Sequence, residues 1–199
     1  MFNWYKGCLP SNEFRQIGEA INIISNSIVY PCLGGMTTIN EKGMKTNYDA
    51  VDLLKEKYSE RLYNIGRLDM YSKGMIFFTN DGDFAAKLSH PSSQLEKEYI
   101  VETSQDVPVE FTKAFEKGIR IENSFYKCKK CEILKPRKIK IVLIEGKNRE
   151  IRRVLESQNI GTKSLVRVRI GCVNLDDLKP GESRDLTKKE INDLLKLCE

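Results

Sequence analysis

Four short apolar stretches constrain this chain more than anything else in its sequence: GMIFFT (Gly74 to Thr79), EYIVET (Glu98 to Thr103), KIKIVLIEG (Lys138 to Gly146) and LVRVRIG (Leu165 to Gly171). Each is too short for a long helix and reads as a strand. The first stops at Asn80-Asp81-Gly82, three residues that favour a turn, and DFAAKL behind it reads as a short helix. A helix over 109–117 ends at Gly118, a residue suited to a helix C-terminus. In the third stretch Ile139, Ile141 and Leu143 share one face, and Lys138 and Lys140 share the other. NREIRRVLESQ then carries Ile151, Val154, Leu155 and Gln158 at helical spacing, so its apolar side packs on a sheet. Strands separated by helices in mixed order predict an α+β fold with a mixed, mostly antiparallel central sheet flanked by helices.

A chain of 199 residues is long enough for one well-buried core or a catalytic domain with a short appendage. Residues 1–28 read as such an N-terminal extension. Pro10 and Ser11 open a helix, and Phe14, Ile17, Ile21 and Ile24 recur on one face of it. The body runs over 29–199. It begins with a loop-rich stretch around Pro31, Gly34 and Gly35, followed by a helix over about residues 50–58. No apolar run is long enough to span a bilayer, so a membrane partner is not expected. The six cysteines are scattered and no secretory signal precedes them, which points to a reducing cytoplasm without a disulfide framework. Cys128 and Cys131 form a CKKC pair, but no second close pair accompanies it and His90, the sole histidine, is distant. Two ordinary thiols are therefore expected there, and no metal.

Charge is unevenly spread. Between Lys127 and Arg153 stand eleven Lys or Arg against three acids, Glu132, Glu145 and Glu150. Folded onto one face, that segment would attract a polyanion; otherwise it is a solvated surface. Arg149, Arg152, Arg153 and Glu156 follow helical spacing beside the apolar stripe, and Arg167 and Arg169 alternate with Val166, Val168 and Ile170. Helix and strand could thus both feed one basic cleft.

The segment IGRLDMYSKGMIFFTNDG (Ile65 to Gly82) places Asp69 in a loop at the mouth of an apolar strand. Such an aspartate is ordinarily a turn former or a cap. Two further segments accompany it: HPSSQLEKEYIV (His90 to Val101), and IEGKNREIRR (Ile144 to Arg153) followed by LVRVRIG. Together, in this order and at these separations, they resemble the motifs of the RsuA-like and RluB/E/F-like pseudouridine synthases, over about residues 30 to 186. The resemblance implies that the catalytic aspartate is Asp69, the active-site tyrosine Tyr99, and the arginine that pairs with the aspartate Arg152. It implies the conversion of uridine to pseudouridine: the N1–C1′ bond breaks, the uracil rotates, and C5 joins C1′. No redox change occurs and no cofactor is required. An ionised carboxylate can attack the sugar or assist loss of the base, and a guanidinium beside it lowers its pKa. Tyr99 offers a flat ring for the uracil and a hydroxyl that could help remove the C5 proton.

A stacked uridine cannot reach Asp69, so the target must be flipped out. Candidates for holding the surrounding RNA are Arg67, Lys97, Lys147, Arg149, Arg153, Arg167 and Arg169. His90 is expected to shape a turn. The family's lysine-proline-glycine start is replaced here by a stretch with Tyr30 in the lysine position, and Lys73 stands where acidic or small residues are common. The N-terminal S4 RNA-binding domain of many members has no counterpart in residues 1–28. The GKNREIRR form favours ribosomal RNA of the large subunit as substrate, with transfer RNA as the second candidate and a monomer as the expected state. Two competing readings stand beside this one. A catalytically inactive RNA-binding ribosome-assembly factor would keep the fold and the basic face. A metal-dependent hydrolase built on Asp69 would need a second carboxylate or histidine at ligand spacing, which the sequence lacks.

Overall fold

The computed structural model describes residues 28–33, 37–39, 45–47, 58, 61–69, 71–179 and 182–198. Along the chain these form β1 (Ile28–Leu33), β2 (Thr37–Ile39), β3 (Lys45–Asn47), β4 (Tyr63–Ile65), β5 (Lys73–Thr79), α1 (Gly82–Ser89) and β6 (Lys97–Thr103). There follow α2 (Val109–Lys117), β7 (Ile119–Ile121), β8 (Ser124–Tyr126), β9 (Lys130–Lys135) and β10 (Lys138–Leu143). The last elements are α3 (Glu150–Ser157), β11 (Thr162–Ile170), β12 (Val173–Asn174), β13 (Arg184–Asp185) and α4 (Lys188–Leu197). The helices expected within 1–28 and near 50–58 fall outside the described residues, apart from Tyr58.

Nine strands make one sheet in the order β13-β1-β5-β11-β6-β10-β9, with β4 added to β5 and β12 to β11. Only β5 and β11 run parallel; the other pairings are antiparallel, as the sequence pattern predicts. In β5 every residue from Gly74 on is buried, which is what a continuous apolar run becomes when both faces of a strand are covered. The stretch from Val29 is not the loop expected from Pro31 and its glycines. It is β1, paired with β5 along its whole length, whereas β13 covers only Ile28 and Val29. Pro31 therefore sits where β1 has no described neighbour on its other side, the position in which a strand tolerates a missing N–H.

Two apolar clusters fill the protein. One packs α2 and α3 on β6, β10 and β11 through Phe111, Phe115, Ile139, Ile141, Val154 and Leu155. The other packs α1 and α4 on β5 through Met75, Phe77, Phe84, Leu88 and Leu194. α3 buries Ile151, Val154 and Leu155 as its spacing predicts, while Gln158 is exposed. Asp81 caps α1 by accepting from the N–H groups of Asp83 and Phe84, both at 2.9 Å. Cys128 and Cys131 are free thiols inside the first cluster, and their mutual hydrogen bond together with burial pushes the Cys128 thiol up. Among the described residues no group of three or more His, Cys, Asp or Glu is placed to hold a metal, and no helix is long and apolar enough to cross a membrane.

The clusters meet where β5 touches β11. Gly74 lies opposite Arg167, with φ +112°, and a Cβ there would stand 2.2 Å from the Arg167 carbonyl oxygen. Only glycine allows that approach, because a side chain would collide with backbone and be strained at this φ.

Candidate active site

The loop that enters β5 folds around the carboxylate of Asp69. The Tyr71 N–H donates to Oδ1 at 2.9 Å, the Ser72 hydroxyl donates to Oδ2 at 2.7 Å, and the Ser72 N–H donates to the Asp69 carbonyl at 3.0 Å. This is the Asx-type turn that an aspartate favours locally. From α3, Arg152 reaches the same loop. Its Nη2 donates to the Tyr71 carbonyl at 2.8 Å and its Nε lies 3.4 Å from Oδ2 of Asp69. The guanidinium is thus anchored on backbone more tightly than on the carboxylate it faces. Burial by itself would raise the pKa of Asp69, but the Ser72 hydroxyl, the Tyr71 N–H and the Arg152 charge outweigh it, leaving the carboxyl below its ordinary value.

Asp69 opens into a cleft of about 780 Å³ whose wall also includes Tyr99, Lys97, Leu143, Arg167 and Ile170. The volume suits a small-molecule-sized guest. Tyr99 reaches it because β6 is the next strand beyond β11: Gly74, Arg167 and Tyr99 are register partners across β5, β11 and β6. The structure therefore brings Asp69, Tyr99 and Arg152 to one place, with Asp69 and Tyr99 lining the cleft and Arg152 buried behind the carboxylate.

The basic residues divide. Arg67, Lys97, Lys147, Arg149 and Arg167 line the cleft, whereas Arg153 and Arg169 do not. Arg167 is only 2% exposed, and donates from Nε to the Met75 carbonyl at 2.7 Å and from Nη1 to the Arg67 carbonyl at 3.2 Å. It clamps the GRLD loop to the sheet. Arg169 lies between the carboxylates of Glu96 and Glu98 at 3.1 and 3.2 Å. Lys97 donates to the carbonyls of Leu95 and Ile144, and burial, then the nearby Arg167 charge, lowers its pKa. Lys147 donates to the Phe125 carbonyl at 2.8 Å and pairs with Glu145. Arg149 pairs with Glu156 at 3.5 Å, and exposed Arg153 contacts the Tyr126 hydroxyl. Eight of the eleven basic side chains between Lys127 and Arg153 carry an ion pair, so the run is not an open basic face. His90 caps the short turn at Pro91–Ser93, accepting from the Ser92 N–H at 3.2 Å.

Three features escaped sequence reasoning. Ser72 is the nearest side chain to the carboxylate, yet a serine in a loop has too many ordinary uses to be singled out. Buried Glu150 accepts the Lys147 N–H at 3.1 Å and so fixes the loop leading into α3. Tyr71 commits its backbone to both partners of the Asp69–Arg152 pair, its N–H to the carboxylate and its carbonyl to the guanidinium.

The sequence profile of the family described as RNA pseudouridylate synthase matches residues 34–157, a span that includes Asp69, Tyr99 and Arg152. The chain belongs to this family. Over 145 residues, 73% of this chain, it is 43% identical to a protein of Borreliella burgdorferi named "uncharacterized RNA pseudouridine synthase", of which it covers 58%. Over 189 residues, 94% of this chain, it is 38% identical to the dual-specificity RNA pseudouridine synthase RluF of Escherichia coli K12, of which it covers 61%. The chain thus spans about three fifths of the length of these curated relatives. A crystal structure of a pseudouridylate synthase superposes with a TM-score of 0.71 at 26% identity, covering 85% of this chain and 74% of that one. The mixed, mostly antiparallel sheet is the pseudouridine synthase fold.

Proposed function

We propose that this chain isomerises a specific uridine to pseudouridine in structured RNA, with the Asp69 carboxylate as the catalytic group. One observation carries the reading: in a chain of this family, Asp69 is held ionised by Ser72, Tyr71 and Arg152 at the wall of a cleft that also contains Tyr99. Ionised Asp69 attacks C1′ or assists departure of the uracil while the N1–C1′ bond breaks. The base then turns and C5 bonds to C1′. The C5 proton leaves, and N1 gains one. Tyr99 stacks the uracil and its hydroxyl serves the proton at C5. Arg152 keeps the carboxylate charged and oriented, with Arg167 fixing the loop that carries it. The GKNREIRR form of the third motif supports ribosomal RNA of the large subunit as substrate ahead of transfer RNA.

The test is release of tritium from RNA labelled at C5 of uridine, together with a map of pseudouridines in ribosomal and transfer RNA with and without the gene. Wild-type protein releases tritium, and one or a few positions lose pseudouridine when the gene is absent. Asp69→Asn keeps fold and RNA affinity and makes no product, since the amide retains the shape but not the charge; turnover within about tenfold of wild type would remove Asp69 from its role. Binding of RNA without tritium release by the wild type would favour the assembly factor instead.

A further inference from the structure

Tyr71 stands in the Asp69 loop, and the proposed mechanism leaves its side chain unused. Its backbone is committed on both sides, to Oδ1 of Asp69 and to Nη2 of Arg152. The residue is 61% exposed, although Asp69 and Ser72 in the same loop are more buried. Single exposed aromatics are ordinary on protein surfaces. What sets Tyr71 apart is its mounting. The Arg152 guanidinium lies 6.0 Å from the ring centroid, so the ring rests against the same cation that faces the catalytic carboxylate. Two other exposed rings lack that setting. Tyr63 on β4 lies against Arg61, and the Phe125 ring stands over Gly118.

Flipping a uridine into the cleft leaves the base next to it without a stacking partner. We propose that this neighbouring base stacks on the ring of Tyr71, which takes the place of the flipped uracil in the stack and holds the RNA in register with Asp69. The inference rests on the pseudouridine synthase reading above. An aromatic face accepts any base, and a ring on a doubly anchored backbone loses little freedom when it does so. The ligand is therefore a nucleobase in RNA, recognised by its flat face and not by its edge.

The test uses unmodified large-subunit ribosomal RNA transcripts carrying tritium at C5 of uridine, with wild type, Tyr71→Ala, Tyr71→Leu, Tyr71→Phe and Tyr71→Trp. Tyr71→Ala and Tyr71→Leu raise KM on the order of tenfold, equally at low and high salt, because stacking and not charge is removed. Tyr71→Phe and Tyr71→Trp restore it. The rate at saturating RNA stays close to wild type in all four. Unchanged KM in Tyr71→Ala, or rescue by leucine as good as by phenylalanine, overturns the stacking role. So does normal KM with a reduced saturated rate, which would mean that Tyr71 acts only by shaping the Asp69 loop. If wild-type protein releases no tritium, the functional reading fails and this inference falls with it.

Discussion

Because the Ser72 hydroxyl lies 2.7 Å from Oδ2 of Asp69 while Nε of Arg152 lies at 3.4 Å, a neutral donor governs this carboxylate more than the cation does. Burial of Asp69 pushes the other way and is overcome. The sign of the resulting pH dependence follows. A carboxyl whose folded pKa lies below its ordinary 3.8 contributes stability that is fully present above 3.8 and is lost as pH falls through the folded value. The Asp69 carboxylate stays charged over the same range. Ser72→Ala removes the largest group lowering that pKa, so the acid limb of the single-turnover rate moves upward, toward the ordinary carboxylate range. Carboxyl NMR of Asp69 in the folded protein shows the same movement. An acid limb that does not shift would return the main role to Arg152, whose removal would then produce it.

At the scale of elements, the junction of β5 and β11 fixes the Asp69 loop to the sheet. A Cβ at Gly74 would meet the Arg167 oxygen at 2.2 Å and nitrogen at 2.5 Å, both backbone atoms that cannot rotate away. Gly74→Ala should cost about 3 kcal/mol or more, combining overpacking with strain at a positive φ. Urea unfolding reads this cost, and a loss under about 1 kcal/mol would show that the two strands separate easily. The elements that were legible in sequence are those marked by an apolar run, a bounding turn or a helical spacing: β5, β6, β10, β11, α1, α2 and α3. α3 could be read residue by residue because its apolar stripe and its arginines repeat together. β1 was hidden by Pro31, which reads as a loop until one sees that β13 leaves that part of the strand uncovered. β12 and β13 have two residues each, too few to show any period. α4 did carry a signal, since Thr187 and Glu190 form a capping box of the T-x-x-E type. Asp69, Tyr99 and Arg152 were singled out through linked motifs, not through spacing alone. What each basic residue does was not legible, because pairing with distant acids such as Glu96 is a tertiary fact.

Over the whole molecule, the count of 33 Lys and Arg overstates what RNA can use. Lys129, Arg137, Lys138 and Lys140 are spent on Glu96, Asp106, Glu102 and Glu132, and Arg169 is held by two carboxylates. A cation already neutralised by the protein releases few counterions when a phosphate approaches, so it adds little to the salt dependence of binding. Arg153 is different, being exposed with a long contact to the Tyr126 hydroxyl at 3.4 Å and no carboxylate partner among the described residues. The plot of log affinity against log salt should therefore lose a slope of about 0.7 to 0.9 in Arg153→Ala, the share of one phosphate contact. Arg169→Ala should leave the slope unchanged. It will instead lower stability, because Glu96 and Glu98 lose the guanidinium between them. Arg167→Ala should unfold or inactivate the protein before any slope can be read, since its guanidinium holds the carbonyls of Met75 and Arg67 together. The comparison of Arg153 with Arg169 decides the matter. Equal losses of slope in the two variants would mean that the Glu96 and Glu98 pairs open on binding RNA and that Arg169 belongs to the interface.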